Sequence, residues 1–488
     1  MKIQSRMSAV ILTGCLMFAP AWAGDIPRAD PEAVGLSSER LDRFSAAIEE
    51  GIDAGDLPGA VAAVARNGKI AFFESYGLRD KEAGLPMTDD AIFRIASMTK
   101  AITGVAVMML YEEGYFSLND PVAKFIPAFK SSRVLANTDS GGGKSADKKD
   151  KKGKSDKKGK PDVNDTSDWS RDDIDKWLKD NWDILSEAEQ NKWLAWYADK
   201  SKAKGKGKGS SGESQVAVET VPLDRPITIR DLLRHTAGIS YDMGEIWEPG
   251  DDLGQMIDKL AAQPLLSQPG TKFEYGLSID VLARLVEVVS GQPFDEFIEE
   301  RIFIPLDMND TGFQVPEEAA TRLVKMPETK ADDKNPKKSY SEDSYLSPPV
   351  VLMGGTGLVS TTMDYLRFCL MLLNDGELEG HQILGRKSVE LMRANHMNNV
   401  ADSGAGSKTG SEFQFGLTFG VKGKPGDEGA LGSEGAYYWG GAYGTTFWID
   451  PTENLVGVFM VNGLNYEKGY KRPYSQMLEH FTYQAIVD

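Results

Sequence analysis

Cysteine and histidine are almost missing from this sequence. Its 488 residues include 2 cysteines and 4 histidines. So few cysteines exclude a disulfide framework and a cysteine-rich zinc site. The histidines (His235, His381, His396 and His480) leave little material for a Ser-His-Asp triad or a histidine metal centre. A surplus of basic charge is absent as well. There are 55 Lys and Arg against 73 Asp and Glu, a net charge of −18, which argues against nucleic acid as the main partner. No Gly-x-Ser-x-Gly elbow and no phosphate-binding glycine loop stand out. Beyond the first two dozen residues no apolar run is long enough to span a bilayer.

What is present suits an exported enzyme. The chain is 41% hydrophobic and so carries enough apolar material for a sizeable core. Residues 1–23 read as a signal peptide. Lys2 and Arg6 form its basic end, Met7 to Ala19 its apolar run, and Ala21-Trp22-Ala23 its small-x-small cleavage site. Cleavage there takes the net charge from −18 to −20 by removing two cations. Leu12-Thr13-Gly14-Cys15 resembles a lipoprotein box, which would give a lipid anchor on Cys15. Apolar residues continue past Cys15, so a periplasmic or secreted chain is the expectation. Cys369 would then be the remaining cysteine, in an apolar run that predicts a core position.

Along the chain, Ser37 or Ser38 caps a helix with Leu41, Phe44 and Ile48 on its apolar face. Ala60–Arg66 and Lys69–Tyr76 read as a hairpin around Asn67-Gly68. A helix is predicted from Ser97 to Glu113, another from Arg230 to Arg234, and a third from Ser278 to Ser290 with Gly291 as its stop. Phe415–Val421, Ala442–Ile449 and Leu455–Asn462 read as strands. Strands at both ends with helices between predict an α+β domain whose sheet joins N- and C-terminal segments. Residues 24–488 form one such domain, interrupted by an insertion at 138–216. Its Gly/Lys-rich arms, with nine lysines between Gly141 and Lys160, flank an amphipathic helical stretch carrying Trp169, Trp177, Trp182, Trp193 and Trp196. The insertion is expected either to dock on the domain or to contact a partner or surface.

Ser97-Met98-Thr99-Lys100 is the first motif with chemistry. At the start of a helix, Lys100 lies one turn on from Ser97 and on the same face, and the helix N-terminus favours negative charge on the serine oxygen. Ser-x-x-Lys is short and recurs at Ser145, Ser155 and Ser201, all within the lysine-rich segments. Ser97 alone follows an apolar strand, Ala91 to Ile95, and opens an apolar helix. Taken alone it reads as a helix cap. Phe273-Glu274-Tyr275 before the Ser278 helix and Trp439-Gly440-Gly441-Ala442 before a strand complete the pattern.

In that order, the three stretches resemble the signature elements of the serine β-lactamase and penicillin-binding-protein superfamily. The nearest branch is the class C-like family VIII carboxylesterases. The resemblance extends over Phe93–Phe129, Ile227–Ser240, Pro264–Phe313, Gly354–Leu373 and Phe415–Asn462. It implies the β-lactamase/transpeptidase-like fold, an antiparallel sheet flanked by helices with an added helical region. It implies Ser97 as the acylated nucleophile, Lys100 and Tyr275 as its general base and acid, and an oxyanion hole from the backbone N–H groups of Ser97 and Ala442. No cofactor and no metal are implied. His235 falls in a stretch that reads as structural, and Gly354 to Gly357 as a turn near the site.

Two departures bear on substrate. The third motif of β-lactamases is Lys-Thr-Gly, and Trp439, with Gly440 and Gly441, stands in its place. The class C asparagine two residues after the tyrosine is replaced by Leu277. Both remove polar handles for a β-lactam and suit an uncharged ester. A literal Lys408-Thr409-Gly410 lies in a polar loop with no apolar strand behind it and reads as coincidence. A serine carboxylesterase acting on a small-molecule ester or amide is therefore expected. A weak β-lactamase, a D-amino-acid peptidase or an acyltransferase is the alternative within this chemistry. A non-catalytic penicillin-binding-type protein, or a partner-binding protein built around the insertion, is the alternative outside it. Whether Lys100 or Tyr275 takes the serine proton is open, since burial would lower the lysine and a nearby cation the tyrosine.

Overall fold

A computed structural model describes residues 26–136, 219–241, 246, 248, 250–326, 345–400, 414–463 and 474–488. The signal segment, the bulk of the insertion and Lys408-Thr409-Gly410 lie outside the described residues.

The N-terminal hairpin forms as the Asn67-Gly68 pair predicts. Strand β1 (Gly59–Arg66) returns as β2 (Lys69–Asp80) through a turn with φ of +54° and +71° at those two residues. After β3 (Leu85–Pro86), the sheet's remaining strands all come from the C-terminal third. They are β4 (Gln414–Phe415), β5 (Gly420–Val421), β6 (Tyr437–Gly440), β7 (Thr446–Asp450) and β8 (Leu455–Met460). The eight-stranded sheet runs β4-β5-β6-β7-β8-β1-β2-β3, and all its pairs are antiparallel. First and last strands meet at its centre, where Val61 pairs with Met460 and Arg66 with Leu455.

Alternation along β1 divides the core. Ala60, Ala62 and Val64 face α1 (Ser38–Asp53), while Val61, Ala63 and Ala65 face the larger helical layer. Ser37 caps α1, and Leu41, Phe44 and Ile48 are buried on its sheet-facing side. On the other side of the sheet lie α2 (Thr99–Glu112), α3 (Ser278–Ser290) and α4 (Thr362–Leu373). Residues 99–110 of α2 are all buried, so this helix is enclosed on every side and occupies the middle of the domain. Cys369 lies in α4 with no exposure, as its apolar run predicts. The C-terminal helix α5 (Tyr474–Ala485) packs beside α1.

The insertion leaves and returns at one place. Arg133–Leu135 pairs antiparallel with Thr220–Pro222, and Leu135 faces Thr220. A long excursion anchored by such a pair leaves the sheet undisturbed.

Two expected strands are different in detail. Phe415–Val421 is a tight hairpin, β4 and β5, turned at Thr418 with φ +73°. The strand expected from Ala442 begins at Thr446 and leaves Ala442 in the β6–β7 turn, because Trp439-Gly440 belong to the preceding strand. Both errors have one cause: aromatic and β-branched residues give strand character on either side of a turn whose place is set by backbone geometry.

Candidate active site

The nucleophile position is built by a sharp bend. Ile92–Arg94 pairs with Val359–Thr361, and Arg94 is held to Asn462 by hydrogen bonds of 3.0 and 3.1 Å. Ala96 then takes a φ of +43°, unusual for a residue with a Cβ. Residues Ala96–Met98 form a single 3-10 turn before α2 begins at Thr99, so Ser97 stands at the mouth of the helix rather than inside it. The bend is pinned from α4 by the Tyr365 hydroxyl, which donates to the Met98 carbonyl at 2.9 Å.

Lys100 is 1% exposed. Its Nζ donates to Ser97 Oγ at 3.1 Å, to Tyr241 Oη at 3.1 Å and to the Gly355 carbonyl at 2.6 Å. The Gly355 N–H in turn donates to Asp280 Oδ1 at 2.9 Å, and Asp280 is itself buried. Asp280 and Lys100 are thus linked through the backbone of one residue, Gly355. This is the role of the Gly354 to Gly357 turn: a Cβ on Gly355 would stand 2.7 Å from Asp280 Oδ2.

The electrostatics differ from the expectation for Lys100. Burial pulls its pKa down, but Tyr275, Tyr241 and Asp280 together outweigh burial and hold the ammonium above its ordinary value. Asp280 is pushed up by burial, against the opposing pull of Lys100 and the Gly355 N–H. These neighbours favour the ammonium form of Lys100, placed as a donor to Ser97.

Tyr275 is half-buried, just ahead of α3. Its ring lies 4.8 Å from Lys100 Nζ, and its hydroxyl accepts from Trp439 Nε1 at 3.2 Å. Tyr241 was not foreseen in the sequence. It comes to the site because Gly276 packs on the Ser240–Tyr241 backbone, where a Cβ would meet the Ser240 Cα at 2.4 Å. Gly441 makes a similar approach, with its Cβ position 2.4 Å from the Ile95 carbonyl oxygen. That brings the β6–β7 turn, with Ala442, beside Ser97.

Ser97, Tyr275, Trp439, Gly440 and Ala442 all line one cavity of about 1000 Å³, which continues to Lys422 and to Met477 and Phe481 of α5. Leu277 is not part of that lining. It is 5% exposed, stands at the N-terminus of α3 and packs in the main core. An apolar side chain there turns inward, so its effect on the site is the loss of a polar group and not a contact with substrate.

The chain matches the Beta-lactamase family over residues 44–154 and 215–480. It belongs to that family. Among relatives of this beta-lactamase-family chain, Protein Rv1367c of Mycobacterium tuberculosis is 31% identical over 437 residues, 86% of this chain and 90% of its own. Esterase EstB of Burkholderia gladioli is 25% identical over 475 residues, covering 89% and 93%. The solved structure of EstCE1, a hydrolase with promiscuous acyltransferase activity, superposes with a TM-score of 0.63 at 21% identity, over 91% of this chain and 99% of that one. An unliganded Simvastatin Synthase (LovD) structure from Aspergillus terreus gives 0.62 at 18% identity, over 92% and 98%. The family and the beta-lactamase/transpeptidase-like fold agree with the resemblance seen in the motifs, and the family is one of serine hydrolases.

Proposed function

We propose that this protein cleaves carboxylic esters through an acyl-enzyme on Ser97. The observation that carries the reading is the Lys100 ammonium, within 3.1 Å of Ser97 Oγ and of the Tyr241 phenol oxygen and 4.8 Å from the Tyr275 ring. A serine hydroxyl is a weak nucleophile and needs a proton acceptor. With Lys100 charged, the acceptor is a phenol oxygen beside that ammonium, and we assign the role to Tyr275, whose ring lies 4.8 Å from Lys100 Nζ. Ser97 Oγ adds to the ester carbonyl as its proton passes to Tyr275. The carbonyl oxygen takes the negative charge between the N–H groups of Ser97 and Ala442. Collapse expels the alcohol, which receives the proton from Tyr275. Water then repeats the sequence and releases the acid.

Trp439 supports an uncharged ester. An indole occupies the motif position where a cation would meet a substrate carboxylate. EstB, similar along nearly its whole length, is an esterase by name. The cavity of about 1000 Å³ is at the upper end of small-molecule sites. It favours a bulky alcohol or acyl group, and transfer of the acyl group to an alcohol instead of water is the same chemistry. On residues 1–23 we also place the protein outside the cytoplasm, which N-terminal sequencing of the exported chain tests.

The deciding experiment compares p-nitrophenyl esters, a chromogenic cephalosporin and a D-Ala-D-Ala peptide, with Ser97→Ala as control. Ester turnover lost in Ser97→Ala is the expected result. Ester turnover that persists in that variant overturns the mechanism, and cephalosporin turnover well above ester turnover overturns the substrate class.

A further inference from the structure

His235 has no solvent exposure, and neither of its ring nitrogens has a hydrogen-bond partner among the described residues. Its backbone is left-handed, with φ +56°. Both features are unfavourable: an unpaired polar ring loses its hydration, and a residue with a Cβ is strained at that φ. An apolar side chain would avoid the first. A residue kept here only to fill the core has no need of an imidazole.

Its surroundings point to Tyr275. The imidazole centroid lies 4.7 Å from the Tyr275 ring at 50°, 5.7 Å from Phe273 at 62° and 5.8 Å from Phe415 at 70°. Phe415 and Tyr275 both contact Trp439, at 5.3 and 5.4 Å. The main chain joins the same places. Glu274 N–H donates to the His235 carbonyl at 2.7 Å, and Gly270 N–H to the Thr236 carbonyl at 2.7 Å. The left-handed turn at His235 therefore fixes the loop that carries Tyr275, while the ring fixes the phenol. Burial, and then the charge on Lys100, hold the imidazole well below its ordinary pKa. It remains neutral and adds no second cation beside the lysine. A five-membered ring also occupies less of this enclosed space than a benzene ring.

We propose that His235 is a positioning residue for Tyr275, setting the phenol ring by ring contact and by the backbone link from 235 to 274 so that its hydroxyl serves Ser97. This rests on the reading of Ser97 and Tyr275 given above.

The test labels Ser97 with a fluorophosphonate and measures the second-order rate alongside kcat and KM for p-nitrophenyl acetate. His235→Asn removes the ring but tolerates the left-handed backbone. Its labelling rate and kcat are expected to fall about 10- to 100-fold with KM within about threefold, in a protein whose circular dichroism is native. A folded variant that labels at the wild-type rate overturns the inference, since a purely structural residue changes the melting temperature and not the rate. If His235→Asn does not fold, Phe273→Leu decides. It opens the same cage without touching the strained backbone, and an unchanged labelling rate there overturns the inference as well. Failure of the wild type itself to label at Ser97 would instead remove the catalytic reading on which the inference stands.

Discussion

The indole N–H of Trp439 donates to the phenol oxygen of Tyr275 over 3.2 Å. An indole nitrogen can only donate, so the tyrosine oxygen is the acceptor and its electron density is stabilised from that side. Trp439 thus does two things at once. It stands where a cation would greet a substrate carboxylate, and it gives a hydrogen bond to the tyrosine proposed as proton acceptor.

Trp439→Phe separates those effects, since it keeps apolar bulk and deletes the donor. A neutral hydrogen bond contributes about 1 kcal/mol. The expected result is a fall in kcat of about fivefold, with KM changed less than threefold. Steady-state kinetics on a p-nitrophenyl ester check it, and an unchanged kcat would show that the bond has no catalytic weight.

The two phenols near Lys100 are expected to differ in importance. Tyr275→Phe removes the group assigned to proton transfer and should lower kcat by about 10²- to 10⁴-fold. Tyr241→Phe leaves Lys100 with Ser97 Oγ and the Gly355 carbonyl as partners. A loss of about tenfold is expected there, the value of one charge-assisted bond partly replaced by solvent. The same assay on both variants decides. A larger loss at Tyr241 would transfer the proton-acceptor role to that residue.

Local pattern accounts for what the sequence made legible. Asn67-Gly68 requires a hairpin, the spacing of Leu41, Phe44 and Ile48 requires a helix, and Ser97 and Lys100 are one turn apart in any helix. Tyr241 could not be found in this way. It meets Lys100 from 141 positions away, and its approach depends on the missing Cβ of Gly276. Asp280 left a faint signal, a carboxylate among the apolar Ile279, Val281 and Leu282, but its target is the Gly355 N–H, which no periodicity reports. The charge state of Lys100 stayed open for the same reason. Burial is legible in an apolar run, whereas the oxygens that offset it come from three other segments.

Asp364 gives a pH dependence of stability. Burial raises its pKa from 3.8 to about 6, although its Oδ2 accepts from Thr311 Oγ1 and Asp310 N–H, each at 2.8 Å. A carboxyl that is raised on folding favours the folded state while protonated. Its contribution is therefore present below pH 3.8 and lost as pH rises through about 6. Asp364→Asn mimics the protonated form at every pH. Relative to that variant, the wild type should lose about 2 kcal/mol between pH 4 and pH 7, which urea unfolding at the two pH values measures. A constant difference would mean that Asp364 does not titrate in this range. Other carboxylates titrate in both proteins and cancel.

Gly441 tests whether the oxyanion hole depends on close approach of the β6–β7 turn to the nucleophile bend. Its Cβ position is 2.3 Å from Thr445 Oγ1 and 2.4 Å from the Ile95 carbonyl oxygen. The first atom belongs to a side chain, but the second is backbone and is pinned by the strand that leads to Ser97. Gly441→Ala must therefore push the turn away, and Ala442 N–H with it. Loss of one oxyanion donor lowers kcat by about 10²- to 10³-fold, and that is the expected effect. Gly68→Ala is the comparison, because Gly68 has φ +71° with open space around its Cβ position. It should destabilise by about 1 kcal/mol from backbone strain and leave kcat unchanged. If Gly441→Ala instead retains kcat while losing only stability, the turn is a packing element and the oxyanion is stabilised elsewhere.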